Sequence, residues 1–147
     1  MVRSRRHMVK KFNPLVVAAF FALSLILTSG CYLVRYEAVM QTHLTLMEEY
    51  TTKLQYMADN GLEVSAADWV EFTYPGERAA EFLRIVGPRF EGQASLFSFQ
   101  QSLILYQGLM ASPDILTGPA AAAEVSGRRA TLLEAIRANR EALAAEQ

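Results

Sequence analysis

Along most of this chain apolar side chains recur at alternating steps of three and four residues, the spacing that lines up one face of an α-helix. The first such stripe runs through Leu33, Tyr36, Met40, His43, Met47, Tyr50, Leu54 and Met57. A seven-residue repeat of this kind implies a left-handed supercoil against a partner helix. Val39, Leu44 and Leu46 widen the face beyond a two-helix seam and point to a bundle. Asn60-Gly61 closes the helix with residues that accept left-handed backbone geometry.

Further along, Ser65-Ala66-Ala67-Asp68 reads as an N-cap with an acid at the third helical position. A short helix is predicted over 66–72, broken at Tyr74-Pro75-Gly76 because proline removes a helical N–H and clashes with the preceding turn. A second short helix over 77–86 carries Phe82, Leu83 and Val86 on one face and stops at Gly87-Pro88. Leu96, Phe99, Leu103, Tyr106 and Met110 predict a helix over 92–111. Ser112-Pro113-Asp114 opens a short turn that Gly118-Pro119 ends, and a last helix continues on the stripe Val125, Leu132, Ile136 and Leu143. No segment alternates as a strand does. The fold class predicted is all-α: an amino-terminal membrane-spanning or signal helix, then an antiparallel bundle of about four helices.

Charge changes the picture at the amino terminus. Arg3, Arg5, Arg6, Lys10 and Lys11 give residues 1–31 a charge of +5 with no acid, while residues 32–147 hold nine basic groups and 15 acids, a charge of −6. Residues 14–34 then form an uncharged, mostly apolar run of 21. As a helix that run spans about 31 Å, one hydrocarbon core. Positive charge on its leading side keeps the start of the chain in the cytoplasm and places the body outside. The chain thus divides into two domains: 1–34, a basic segment with a signal anchor or signal peptide, and 35–147, the outward-facing bundle. An acidic body has no basic surface to neutralise phosphates, which excludes nucleic-acid binding. One cysteine excludes an internal disulfide, a zinc ribbon and an iron–sulfur cluster.

The pentapeptide Leu27-Thr28-Ser29-Gly30-Cys31, after a basic region and an apolar run, resembles the lipobox of bacterial lipoproteins. That resemblance covers only the first 31 residues and implies cleavage after Gly30 with a lipid on Cys31. Thr28 stands where the family usually has Leu, Val or Ile, and Tyr32-Leu33-Val34 extends the apolar run where a polar tether is usual. An uncleaved anchor and a lipidated Cys31 both stay open, and both put the body at the cell membrane or outer membrane, facing the periplasm or the exterior.

Few residues in the body suggest chemistry. Met40, His43 and Met47 present two thioethers and an imidazole on one helical face, a set suited to copper(I) or to a haem iron, against the plainer reading of core-filling methionines beside a buried histidine. Glu48 and Glu49 diverge by about 100° on a helix and cannot converge on one atom. Glu77 and Glu81 stand beside Arg78 and Arg84 as a solvated face. Ser95, Ser98 and Ser102 share a stripe with no nucleophile motif around them, and small polar residues suit close helix approach. Trp69, Phe72, Tyr74, Phe82, Phe90, Phe97 and Phe99 crowd into 31 residues and form either core or a ligand pocket or partner patch. The expectation is a membrane-anchored envelope protein, not an enzyme and without a cofactor, whose bundle serves as a structural, adaptor or sensory interaction module. Its partner is another envelope protein or a second copy, met through the 33–57 face. The alternative is a periplasmic protein binding a small ligand, copper or haem.

Overall fold

A computed structural model describes residues 14–111 and 120–146, with the side chains of 14–34 excepted. All described secondary structure is helical: α1 (Pro14–Asp59), α2 (Ala66–Val86), a 3-10 turn (Gly87–Arg89), α3 (Ala94–Met110) and α4 (Ala121–Ala145). The chain divides into two compact units, Met1–Arg35 and Tyr36–Gln147, and the core lies in the second. Among the described residues no helix is long and apolar enough to cross a membrane. The 14–34 run and Cys31 lie outside the residues whose side chains are described, as do the turns expected at Ser112-Pro113 and Gly118-Pro119.

Contacts across the bundle fix its direction. Lys53 of α1 reaches Asp68 and Glu71 at the start of α2, and Tyr36 stacks on Phe82 near its end, so the two run antiparallel. Phe72 and Phe82 of α2 meet Tyr106 and Phe99 of α3 in reverse order. Ser95 at the start of α3 bonds Glu146 just past α4, and Arg140 of α4 forms a two-pronged ion pair with Glu48 of α1. α3 and α4 lie closest, backbone to backbone, where Ser95 and Ser102 are fully buried. Ser95 thus falls on the close seam, bonded to Asn139 and Glu146, while Ser98 is half-buried.

Periodicity placed most of the buried positions; His43 and Tyr50 on the α1 stripe are half-buried, and Val39, expected to widen that face, is 36% exposed. Tyr36, Met40, Met47, Leu54 and Met57 of α1, Leu96, Phe99, Leu103, Tyr106 and Met110 of α3, and Val125, Leu132, Ile136 and Leu143 of α4 are all buried. One consequence bears on association: the inner stripe of α1 is spent on the chain's own core. Polar residues share these faces. Thr51 turns its hydroxyl back onto the Met47 carbonyl at 2.8 Å, and Asn139 donates Nδ2 to the Ser95 carbonyl. Ser65 caps α2 as expected: its Oγ accepts from the Asp68 N–H at 3.1 Å, and Asp68 accepts from the Ser65 N–H.

The break expected at Pro75 does not occur. α2 runs unbroken through it, with Phe72, Pro75, Gly76 and Ala79 all buried. Packing carries the helix through: these residues are covered by the core, and Tyr106 Oη donates to the Phe72 carbonyl at 2.6 Å in the turn before Pro75, while the carbonyl that the proline leaves without a helical N–H is that of Glu71. Gly76 lets that ring in, since a Cβ there would sit 3.2 Å from Tyr106 Cδ1. The two short helices predicted over 66–72 and 77–86 are therefore one.

Candidate functional site

Met40 and Met47 lie wholly inside the core, and His43 between them is half-buried. The imidazole leans on the rings of Phe82 at 5.2 Å and Phe99 at 6.2 Å. Its Nδ1 is buried without a hydrogen-bond partner. Burial, reinforced by the Arg78 guanidinium, holds its pKa below the ordinary histidine value. Among the described residues no three His, Cys, Asp or Glu side chains gather as metal ligands would. The site is an imidazole held neutral in an aromatic wall.

That environment can be tested through stability. Because the folded-state pKa is depressed, the unfolded chain binds a proton first as pH falls, so stability contributed by neutral His43 is present above pH ~6.5 and declines below it. In His43→Leu this part of the pH dependence should vanish. Melting temperatures of both proteins between pH 8 and pH 5 check it, and identical slopes below pH ~6.5 would refute the assignment.

The seven clustered aromatics meet three fates. Phe72 and Phe99 are core; Trp69, Phe82 and Phe90 are half-buried and pack on it; Tyr74 and Phe97 are 54% and 64% exposed. The inner ones form two groups, not one pocket. Tyr36 stacks on Phe90 at 4.0 Å, with Phe82 and Phe99 behind, at one end of the bundle. At the other, Tyr50 and Trp69 stand edge-on to Phe72, which also carries Lys53 Nζ 5.3 Å from its centroid.

A groove that the residue pattern did not reveal opens where Gly76 lacks a side chain. It holds about 210 Å³ between Thr73, Gly76 and Glu77 of α2 and Tyr106, Gln107 and Met110 of α3. Ligand pockets usually offer about 300 Å³ or more, so this one is small for anything beyond a fragment. Burial raises the Tyr106 phenol pKa, which keeps it a neutral donor to the Phe72 carbonyl.

The carboxylates are engaged structurally. Glu48 accepts from both terminal nitrogens of Arg140 at 2.7 and 2.8 Å, and Glu81 pairs with Arg84 at the surface. Glu146 accepts from the Ser95 N–H at 2.9 Å and from the Ser95 hydroxyl, closing the first turn of a helix whose own N-cap, Gln93, makes no side-chain bond.

What remains is surface. α3 contains no charged residue between Ala94 and Met110, yet one side of it faces solvent with Phe97 and Ile104, the latter 59% exposed. Charged residues occupy the outer sides of α2 and α4 instead, including Glu77, Arg84, Glu134 and Arg137. Val70 and Tyr74 add exposed apolar area on α2. No family model, curated protein or solved structure matches this chain.

Proposed function

We propose that this is a membrane-tethered protein of the bacterial envelope whose helical bundle acts by contact with a partner, as a structural, adaptor or sensory module, and not by catalysis. The observation that carries the reading is the segregation of charge: +5 over residues 1–31, an uncharged run of 21 residues ending at Val34, and −6 over the rest. Positive charge before an apolar run is the pattern that retains a terminus in the cytoplasm and exports the chain beyond the run. The exported part carries its own core and builds its polar contacts into locks between helices, such as Arg140 with Glu48, leaving an uncharged α3 face outward. That face takes over the role expected of the 33–57 stripe, since Tyr36, Met40, Met47, Leu54 and Met57 of that stripe are buried within the bundle.

Two measurements test the tether. Membrane fractions should hold the chain, and external protease should digest the body in spheroplasts while leaving a cytoplasmic marker intact. Intact mass then separates the two forms of anchoring, since loss of residues 1–30 with added lipid mass marks a lipoprotein and full length marks a signal anchor. An unlipidated chain recovered wholly from the soluble fraction would defeat the proposal.

A further inference from the structure

α3 begins without a cap of its own. Gln93 stands at the N-cap and makes no side-chain bond, so the first N–H groups carry the positive end of the helix dipole with no local acceptor. The chain fills that place from a distance. Glu146, just past α4, accepts from the Ser95 N–H at 2.9 Å with one carboxylate oxygen and from the Ser95 hydroxyl with the other. Other contacts also hold α4 there, since Asn139 donates to the Ser95 carbonyl and Leu132, Ile136 and Leu143 are buried.

A third donor stands at the same place and is not used. Tyr36 is 4% exposed, and its Oη is buried without a hydrogen-bond partner. Burial raises its pKa, the Ser95 side chain near it lowers it, and the Glu146 carboxylate raises it; the phenol stays protonated, with an O–H to give. A buried hydroxyl left unpaired costs free energy, and carboxylate oxygens have lone pairs to spare. Glu146 is fixed at its own backbone and satisfies the two Ser95 donors only. A carboxylate not fixed to the chain can settle among all three.

We infer that the start of α3 is a carboxylate-binding site, occupied in cis by Glu146 and able to take a small free carboxylate when that side chain leaves. The donors and the helix dipole select an anion. Ser95 engages two oxygens at once, which suits a planar carboxylate and not a halide. The room is that of the side chain displaced, so an acid the size of acetate or propionate fits. Glu146 is then a built-in competitor, whose attachment gives it a high effective concentration and keeps the site closed to weak ligands. The inference rests on the bundle alone and not on the membrane tether.

Chemical rescue tests it on the purified full chain. Glu146→Ala should melt below the native protein, because both Ser95 donors lose their acceptor. Sodium acetate should then raise the melting temperature saturably, by at least ~2 °C over sodium chloride of equal ionic strength, as a ligand of the folded chain does. Acetamide, of similar shape and no charge, should give no such rise. In the native chain, where Glu146 competes, the half-maximal response should need at least ~10-fold more acetate. Tyr36→Phe alone removes an unpaired hydroxyl and should leave the native melting temperature unchanged or higher, yet in the Glu146→Ala background it should weaken acetate binding at least ~3-fold. Equal responses to acetate and chloride, equal responses of native chain and variant, or a rescue indifferent to Tyr36→Phe would overturn the inference. If Glu146→Ala does not fold in chloride, circular dichroism reads whether acetate restores the helices, and a chain that stays unfolded in acetate overturns it as well.

Discussion

Phe99→Ala is expected to cost about 3–5 kcal/mol of folding stability, the range for emptying a fully buried aromatic site. Phe99 is wholly buried, stands edge-on to Phe82 at 5.7 Å and backs the His43 ring. It joins α1, α2 and α3 at the end of the bundle where Tyr36 enters. Small domains hold about 5–15 kcal/mol in total, so this one change removes a large share. Urea unfolding followed by circular dichroism would measure it. A loss under ~1 kcal/mol would mean that the site collapses around the vacancy, or that the aromatic wall is not packed as described.

The second large effect belongs to Tyr106→Phe. It removes one hydroxyl and leaves the buried Phe72 carbonyl without the donor now 2.6 Å away. Loss of a buried hydrogen bond of this kind costs about 0.5–1.5 kcal/mol. Urea unfolding of the two proteins reads the difference, and a Tyr106→Phe variant as stable as the native chain would show that this bond does not hold α3 to α2.

The Pro75 turn beside that bond also marks the limit of what local sequence encodes. Proline in a helix interior carries a local penalty of about 3 kcal/mol, enough to predict a break from neighbouring residues alone. What holds the helix through it is packing against the core, including the Tyr106 bond to the Phe72 carbonyl from 34 residues away, and nothing local announces it. A signal was nevertheless present: Trp69, Phe72, Gly76, Ala79, Leu83 and Val86 step by three and four straight through Pro75, in the register of one helix. With the glycine and alanine counted as members of the stripe, the two halves join. α3 and α4 were legible because their apolar positions are large and regular. Asn139 was not, since a polar residue on an inner stripe that bonds another helix shows its partner only when the helices are assembled. The 210 Å³ groove was illegible for a related reason, being made by a side chain that Gly76 lacks. The aromatic cluster was visible as composition, but its division between core, rim and solvent depends on helix rotation across the Pro75 turn.

The bond from Glu146 to Ser95 has a consequence in time. Asn139 and Glu146 close the beginning of α3, yet they are made 44 and 51 residues after Ser95. At a synthesis rate of about 5–20 residues per second, that delay is about 2–10 s. Throughout it the first turn of α3 has no carboxylate on its Ser95 N–H. The emerging body is thus held short of its finished packing until residue 146 has been made. For the membrane-tethered form proposed above, whose body would cross the bilayer unfolded, a helix capped this late stays ready to travel.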